Sequence, residues 1–468
     1  MKNHYITISI SAIITTFLSF FINPYYDFYV YIWSYVSFAF VLSVVLRVLY
    51  LKKRSDFLFL PALFITWLNF LQPYLKAEEV TYINRIIPEA FLFDMSFFSA
   101  FGIIGMYIGY YISFERRPVN PIFNLNVKFN SKQLGHIMLS VLFLFLVYKL
   151  IFSFFYMHLQ SFKGLFAIID YTPSLISAGL TLIILRKNGN ILTIIILSVF
   201  IIIRLLLGIA DTLFIRVLLI IIVPFIVYFF ERKKVPFLTF LIAVIIVSPI
   251  FILRHYYRKQ AYSWWFGEKT ATTTFLINQG VKILSETYGK EDIFDTSDKV
   301  IDADKKAESR FEQVSYLGQC VYYHEIKKND FLNGKTFWWL PIAPVPRFIL
   351  PFKPENLMST KLADEYGLRG KGSTASMNWP MLAEYYINFG FLGIIIFSFF
   401  QGIAYKYTYK LIAFGKGDLN LIALFSLILP IIKIESNVTL VFGQVLQFLI
   451  LWKILSLTFL KKYKYIKK

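Results

Sequence analysis

Long apolar segments dominate this chain and constrain its fold more than any other feature. A bilayer core about 30 Å thick is crossed by roughly 20 apolar residues in a helix. Hydrophobic residues make up 57% of the chain and charged residues only 16%, which excludes a disordered chain. The segments predict an all-α polytopic membrane protein with about 12 transmembrane helices. They lie at 6–23, 28–50, 57–75, 91–113, 135–155, 175–185, 191–208, 213–230, 237–253, 389–405, 421–434 and 440–460.

The basic residues agree with this topology. If both termini lie in the cytoplasm, Lys and Arg concentrate in the inside segments. The short outside loops then hold only Lys76, Arg85 and Lys163. Such a bias is the positive-inside pattern of membrane proteins. The formal net charge of +20 therefore reflects topology and indicates no nucleic-acid partner.

One segment does not have the composition of a membrane span. Residues 254–388 carry ordinary numbers of both charge signs and form a single large outside loop, in which we expect short helices. A loop of this length is functional or a small domain of its own. The predicted organisation is therefore nine spans in 1–253, the large loop in 254–388 and three spans in 389–468.

Arginines within the predicted spans are the first candidate binding residues. Arg204 and Arg216 lie near the outer ends of consecutive helices and can converge on an anion at the outer leaflet. The alternative is that both snorkel to the headgroups and pair with Asp211 in the loop between them. Arg47, near an inner helix end, is expected to snorkel.

A second basic cluster follows the ninth span directly. Arg254, His255 and Arg258 emerge on the outer side, against the positive-inside rule. Positive charge at this face indicates an anionic headgroup or a phosphate, and a solvated helix end is the alternative.

The loop is richest in unusual residues at 337–354. Its prolines predict a rigid, extended backbone that presents Arg347 and Lys353 beside aromatic rings. Trp338 and Trp339 can stack on sugar faces or anchor the loop at the membrane interface.

An acid marks the return of the loop to the membrane. Glu384 lies just before the tenth predicted span, where a carboxylate can serve as a general base or as an ion-pair partner. The chain has one Cys and five dispersed His, which predict no disulfide, no metal site and no cofactor.

These features together resemble the O-antigen and capsule repeat-unit polymerases of bacteria (Wzy type). The resemblance rests on the many spans, on the large outside loop late in the chain and on two runs of residues. The runs are Val-Pro-Arg-Phe-Ile-Leu-Pro-Phe-Lys-Pro at 345–354 and Glu-Tyr-Tyr-Ile-Asn-Phe-Gly-Phe-Leu-Gly at 384–393.

The resemblance implies a glycosyltransferase of the bacterial inner membrane, with cytoplasmic termini and a periplasmic large loop. A hydroxyl of one undecaprenyl-pyrophosphate-linked repeat unit would attack the anomeric carbon of the growing glycan, in the synthesis of lipopolysaccharide or a related polysaccharide. A chain-length regulator protein in the inner membrane is the implied partner. Glu384 or His255 would be the catalytic base. The cations proposed to hold the pyrophosphate are Arg204, Arg216, Arg254, Arg258, Arg347 and Lys353.

Two other functions would use the same lipid-linked substrate. A lipid-linked oligosaccharide flippase is expected to have charges deep in a central cavity and short loops throughout. An O-antigen ligase would share the pyrophosphate chemistry but transfer the glycan to lipid A-core. The outer position of the cations and the long loop favour the polymerase over the flippase.

Overall fold

The computed structural model describes the greater part of the predicted helical segments and the second part of the large loop. The described residues are 2–19, 27–51, 55–75, 81–82, 85–86, 89–112, 131–154, 172–186, 191–210, 223–229, 231–232, 313–345, 349–350, 361–368, 379–413, 424, 427, 430–431 and 436–464.

Helices dominate these residues, as the apolar segments predict. In chain order they are α1 (Lys2–Ser19), α2 (Phe28–Leu49), α3 (Asp56–Phe70), α4 (Glu89–Ile112), α5 (Ser131–Phe154), α6 (Thr172–Leu185), α7 (Ile191–Ala210), α8 (Val314–Glu325), α9 (Lys361–Glu365), α10 (Met381–Ala413) and α11 (Val438–Lys464). A 3-10 turn follows α3 at Gln72–Leu75. Two short strands, β1 (Thr81–Tyr82) and β2 (Arg85–Ile86), pair antiparallel, with Thr81 opposite Ile86.

Three of the described helical segments are long and apolar enough to cross a membrane. They are Phe28–Leu49, Ala90–Ile112 and Met381–Ile412. Shorter apolar helices occupy Ile6–Ser19, Phe59–Phe70, Gly135–Tyr148, Leu175–Leu185, Ile191–Ile203 and Val438–Ile450. The chain therefore has the helices of a membrane protein, and the number of twelve spans stays a prediction.

The chain divides into two compact units. One comprises Met1–Val127, Met157–Ile168 and Phe311–Lys468, and the other comprises Lys128–Tyr156 and Ile169–Arg310. The second part of the large loop thus belongs to the same unit as α1–α4, α10 and α11. In the other unit α5 lies against α6, where the space beside Gly179 is filled by the Met138 side chain.

Glycines bring α4 and α10 into close contact. A Cβ added at Gly105 would lie 3.1 Å from the Ile395 carbonyl oxygen, and one at Gly109 would overlap the carbonyl oxygen of Phe399. On the facing helix, a Cβ at Gly402 would overlap the Met106 carbonyl. Small residues let helix backbones approach in this way in membranes, where packing rather than water exclusion drives association.

A buried ion pair joins α2 to the start of α3. Arg47 Nε donates to Asp56 Oδ2 at 2.7 Å, and the two side chains are 7% and 0% exposed. The guanidinium also lies 4.7 Å from the centre of the Tyr111 ring. The prediction that Arg47 snorkels to the headgroups is therefore wrong, because Asp56 begins the next helix within reach of its side chain.

Replacing Arg47 by Met is expected to destabilise the protein by about 3–5 kcal/mol, because Asp56 then stays buried without its cation. The double variant Arg47→Met/Asp56→Leu removes both charges and should recover most of the loss. Thermal unfolding of the purified variants in detergent measures both effects. Equal melting temperatures for the single variant and the wild type would show that the pair contributes nothing to stability.

The last element that shapes the site is a sharp bend in α10. Phe389 (φ −145°, ψ 17°) and Gly390 (φ 63°, ψ −153°) leave the helical conformation. A straight helix would separate Met381 from Gln401 by about 30 Å along its axis. Met381 Sδ lies 3.5 Å from Gln401 Nε2 instead. Residues 381–388 thus fold back along 391–413, and the bend falls at the predicted junction between loop and span.

Candidate functional site

Glu384 lies on the folded-back part of α10 and is fully buried. Its Oε2 accepts a hydrogen bond of 2.6 Å from the backbone N–H of Val438, the first residue of α11. The first N–H groups of a helix lack partners within the helix and carry partial positive charge. The start of α11 therefore stabilises a negative charge on Glu384.

The other carboxylate oxygen of Glu384, Oε1, does not accept a hydrogen bond from the start of α11. The Thr336 hydroxyl lies close to the carboxylate, and it accepts a 2.8 Å hydrogen bond from Asn388 Nδ2. Within the described residues Oε1 has no well-formed hydrogen bond, although it is buried. An unsatisfied buried carboxylate oxygen costs free energy, so it commonly marks a group with a functional partner.

Asn388 connects α10 to the loop that precedes it. Its Oδ1 accepts from the Gly334 N–H at 3.0 Å, and its Nδ2 donates to the Glu384 carbonyl at 2.7 Å as well as to Thr336. Its own carbonyl accepts from the N–H of Asn333 at 3.1 Å. One side chain thereby fixes the end of the folded-back helix, the loop and the backbone beside Glu384.

The loop itself is a series of turns, which we call the turn segment (residues 332–345). Backbone hydrogen bonds link residues three apart, from Lys335 N–H to Leu332, from Phe337 to Gly334, from Leu340 to Phe337, from Ala343 to Leu340 and from Val345 to Ile342. The predicted extended backbone is wrong over this part. The φ angle that Pro prefers also suits the second position of a turn, where Pro341 lies.

Polar and aromatic groups lie between the two arms of α10. Tyr385 Oη donates to Gln401 Oε1 at 3.0 Å, and Gln401 Nε2 donates to Tyr405 Oη at 2.7 Å. The Tyr385 ring stacks on Phe397 with 5.6 Å between the ring centres. A Cβ at Gly393 would lie 2.5 Å from the Tyr385 carbonyl oxygen. The fold-back therefore depends on glycine at the contact between the arms.

A second buried group, His324 on α8, lies close to the folded-back arm of α10. Its Nδ1 is 2.8 Å from the Asn329 carbonyl and its Nε2 is 3.0 Å from Tyr366 Oη. A carbonyl only accepts, so Nδ1 carries the proton and Tyr366 donates to Nε2. The ring stacks on Phe331 and lies edge-on to Tyr386. Burial raises the pKa of Tyr366, which keeps its hydroxyl protonated.

The burial of His324 predicts a pH-dependent stability. Burial lowers its pKa below the ordinary value, against the opposing influence of the Asn329 carbonyl, Glu325 and Asp330. The folded protein thus binds fewer protons at His324 than the unfolded chain. The neutral His324 ring therefore stabilises the folded state fully above about pH 6.5. This contribution is lost as the pH falls through the folded-state pKa of His324.

We expect the melting temperature to fall between pH 7.5 and about pH 5, and His324→Gln to weaken this dependence. His136→Gln, at an exposed position on α5, is the control and should keep the wild-type profile. Parallel profiles for wild type and His324→Gln would contradict a neutral, buried imidazole.

The structure does not describe the side chains of the remaining predicted site residues. The backbone of Arg204 lies in α7, which belongs to the other compact unit, and its side chain is outside the described part. His255, Arg216, Arg254, Arg258, Arg347 and Lys353 also lie outside the described residues. Their proposed roles stay predictions.

The site also contains residues that the sequence did not single out. Asn388 and Thr336 lie 52 positions apart, and Glu384 and Val438 lie 54 apart, so no local pattern links them. The signal that was available is the pair Gly390 and Gly393, which interrupts a helical run directly after Asn388. In the described part of the chain no three His, Cys, Asp or Glu side chains are arranged to hold a metal ion.

Comparison with known proteins gives no relative. No protein-family model, no curated protein and no solved structure matches the chain.

Proposed function

We propose that this membrane protein polymerises undecaprenyl-pyrophosphate-linked oligosaccharide repeat units into O-antigen or a related surface polysaccharide. The observation that carries the proposal is the buried carboxylate of Glu384, held at the start of α11, whose second oxygen has no well-formed hydrogen bond among the described residues. An ionisable group enclosed among apolar helices is costly and is usually retained for function. The two sequence runs that resemble the Wzy-type polymerases support the same function.

The reaction assigns a definite task to Glu384. The acceptor sugar hydroxyl forms a bond to the anomeric carbon of the donor glycan, and the bond from that carbon to the pyrophosphate lipid breaks. The hydroxyl proton passes to Glu384 Oε1, while Oε2 stays on the Val438 N–H. Because the side chain is fully buried, the acceptor reaches Oε1 only after the residues around it rearrange.

The leaving pyrophosphate needs cations, and the predicted ones are Arg204, Arg216, Arg254, Arg258, Arg347 and Lys353. The reaction would take place at the periplasmic face of the inner membrane, with both termini in the cytoplasm. A chain-length regulator in the same membrane is the proposed partner.

The bend in α10 favours one second candidate, a flippase for the same lipid-linked oligosaccharide. Interrupted helices with irregular backbone commonly form the substrate sites of transporters. A buried acid beside such a break would then carry a proton during transport, without any glycosyl transfer.

Deletion of the gene separates these functions. Loss of a polymerase leaves lipopolysaccharide core with a single repeat unit on a gel, because export and ligation continue. Loss of a flippase or of a ligase leaves bare core. We expect the single-repeat band, restored to a full ladder by the wild-type gene, and bare core would refute the polymerase.

A further inference from the structure

We propose that the turn segment, which the sequence assigns to the large outside loop, lies in the outer interface of the bilayer with Trp338 and Trp339 against lipid. This placement of the turn segment does not depend on the proposed reaction. Its occupant is lipid because the surface beside it is the apolar side of a candidate span.

The contacts of the turn segment follow α11 inward from its start. Thr439 Oγ1 donates to the Thr336 carbonyl at 3.2 Å, and Gln447 Nε2 donates to the Pro344 carbonyl at 3.1 Å. Between them a Cβ at Gly443 would lie 2.9 Å from Ala343 Cβ. Eight residues of helix are about 12 Å long, so the turn segment extends by that distance along a helix of the bundle.

Backbone hydrogen bonds in the turn segment reduce the cost of placing it in a low-dielectric environment. Most of its N–H groups donate within the segment or to α10, including Leu332 to the Ile387 carbonyl at 2.9 Å. Pro341 and Pro344 have no N–H to satisfy. Irregular backbone occurs at membrane depth only where protein supplies such partners.

Its exposed side chains continue an apolar surface. Phe337 packs against Phe389 and Phe397 of α10. The neighbouring α10 side chains Leu392, Ile396 and Phe400 recur every four residues and are 66%, 47% and 57% exposed.

Next to Phe337, Trp338 is 77% exposed and Trp339 39% exposed. Lys335 is the one charged residue in the turn segment. Trp prefers the headgroup level of a bilayer, where one edge of the ring is apolar and the other wet. The apolar surroundings favour lipid over a sugar as the group that covers these rings.

Cysteine labelling in intact membranes tests this placement. The only natural cysteine, Cys320, is buried, so the background is low. In spheroplast membranes a charged, impermeant maleimide should label Lys335→Cys readily. Trp338→Cys should react more slowly by on the order of tenfold, because the thiolate is the form that attacks the maleimide and an apolar environment disfavours the thiolate. Full labelling of both variants after denaturation in SDS confirms equal amounts of protein.

Two outcomes would overturn the proposal. Equally fast labelling of Trp338→Cys and Lys335→Cys would place the turn segment in water. Trp338→Cys can also label slowly in wild-type cells and fast in cells that cannot make lipid-linked sugars. That result identifies a bound glycan, and not lipid, as the group that covers this position. Tryptophan fluorescence gives a test without a cysteine substitution. The fluorescence of Trp338 is the difference between the wild type and Trp338→Phe. Quenching of this difference by brominated lipids supports lipid contact, and no quenching argues against it.

Discussion

Gly109→Ala is expected to cause a large loss of stability, because it adds a methyl group where α4 and α10 touch through their backbones. The added Cβ would overlap the carbonyl oxygen of Phe399. A backbone atom cannot move away by changing rotamer, so the helices must separate along their length. Overpacking of this kind costs about 1–3 kcal/mol in ordinary cores and more where the neighbour is backbone. We expect a melting temperature lower by several degrees and a larger aggregated fraction.

The matched control is Gly135→Ala on α5. Nothing lies within 4 Å of a Cβ at Gly135. Alanine is the better helix former by about 1 kcal/mol, so this variant should be unchanged or slightly more stable. Gly402→Ala, on the opposite side of the same contact, should resemble Gly109→Ala. Size-exclusion profiles and thermal unfolding in detergent compare all three, and a wild-type melting temperature for Gly109→Ala would contradict the close packing.

The helices themselves were predictable because their signal is local. An apolar run of membrane length has few other folds, and α2 and α4 begin and end within two residues of the predicted 28–50 and 91–113. The Gly105-x-x-x-Gly109 spacing that brings α4 to α10 is also visible in the sequence. Which helix it contacts is not, since the partner lies nearly three hundred residues later.

The fold-back of α10 and the turn segment were not predicted, for a related reason. A helical run that contains Gly390 has the same composition whether it bends or continues. The stacking of Tyr385 on Phe397 and the hydrogen bonds of Asn388 to the loop select the bend. Proline restricts φ alone, and its φ is compatible with extended chain and with turns.

For the candidate site, the sequence indicated Glu384 but not the residues around it. An acid at the edge of an apolar run indicated a special role for Glu384, and the structure adds its hydrogen bond to Val438. The alternative role of Glu384 as an ion-pair partner has no counterpart among the described residues, and it stays a prediction. Arg47 and Asp56, nine residues apart, form a buried pair instead. That pair was predictable from the sequence, because opposite charges lie where two adjacent helices meet.

Replacing Glu384 by Gln is expected to abolish long glycan chains while leaving the fold intact. The Gln carbonyl oxygen still accepts from the Val438 N–H, so the start of α11 keeps its partner. What is lost is the ability to take a proton, and general bases contribute on the order of 10²–10⁴-fold to rate. The lipopolysaccharide ladder should therefore shrink to the single repeat unit, with membrane protein level and melting temperature as in wild type.

Glu384→Leu separates this catalytic role from a structural one. Leu removes the acceptor for Val438, and loss of an acceptor at a helix start costs about 0.5–2 kcal/mol. This variant should lose both long chains and stability, whereas Glu365→Gln, at an exposed position on α9, should change neither. A full ladder with Glu384→Gln would assign Glu384 to holding α11 alone. The reason is that both a carboxylate and an amide can bind the Val438 N–H, but only the carboxylate can remove a hydroxyl proton. The catalytic base would then be another residue, and His255 is the remaining candidate.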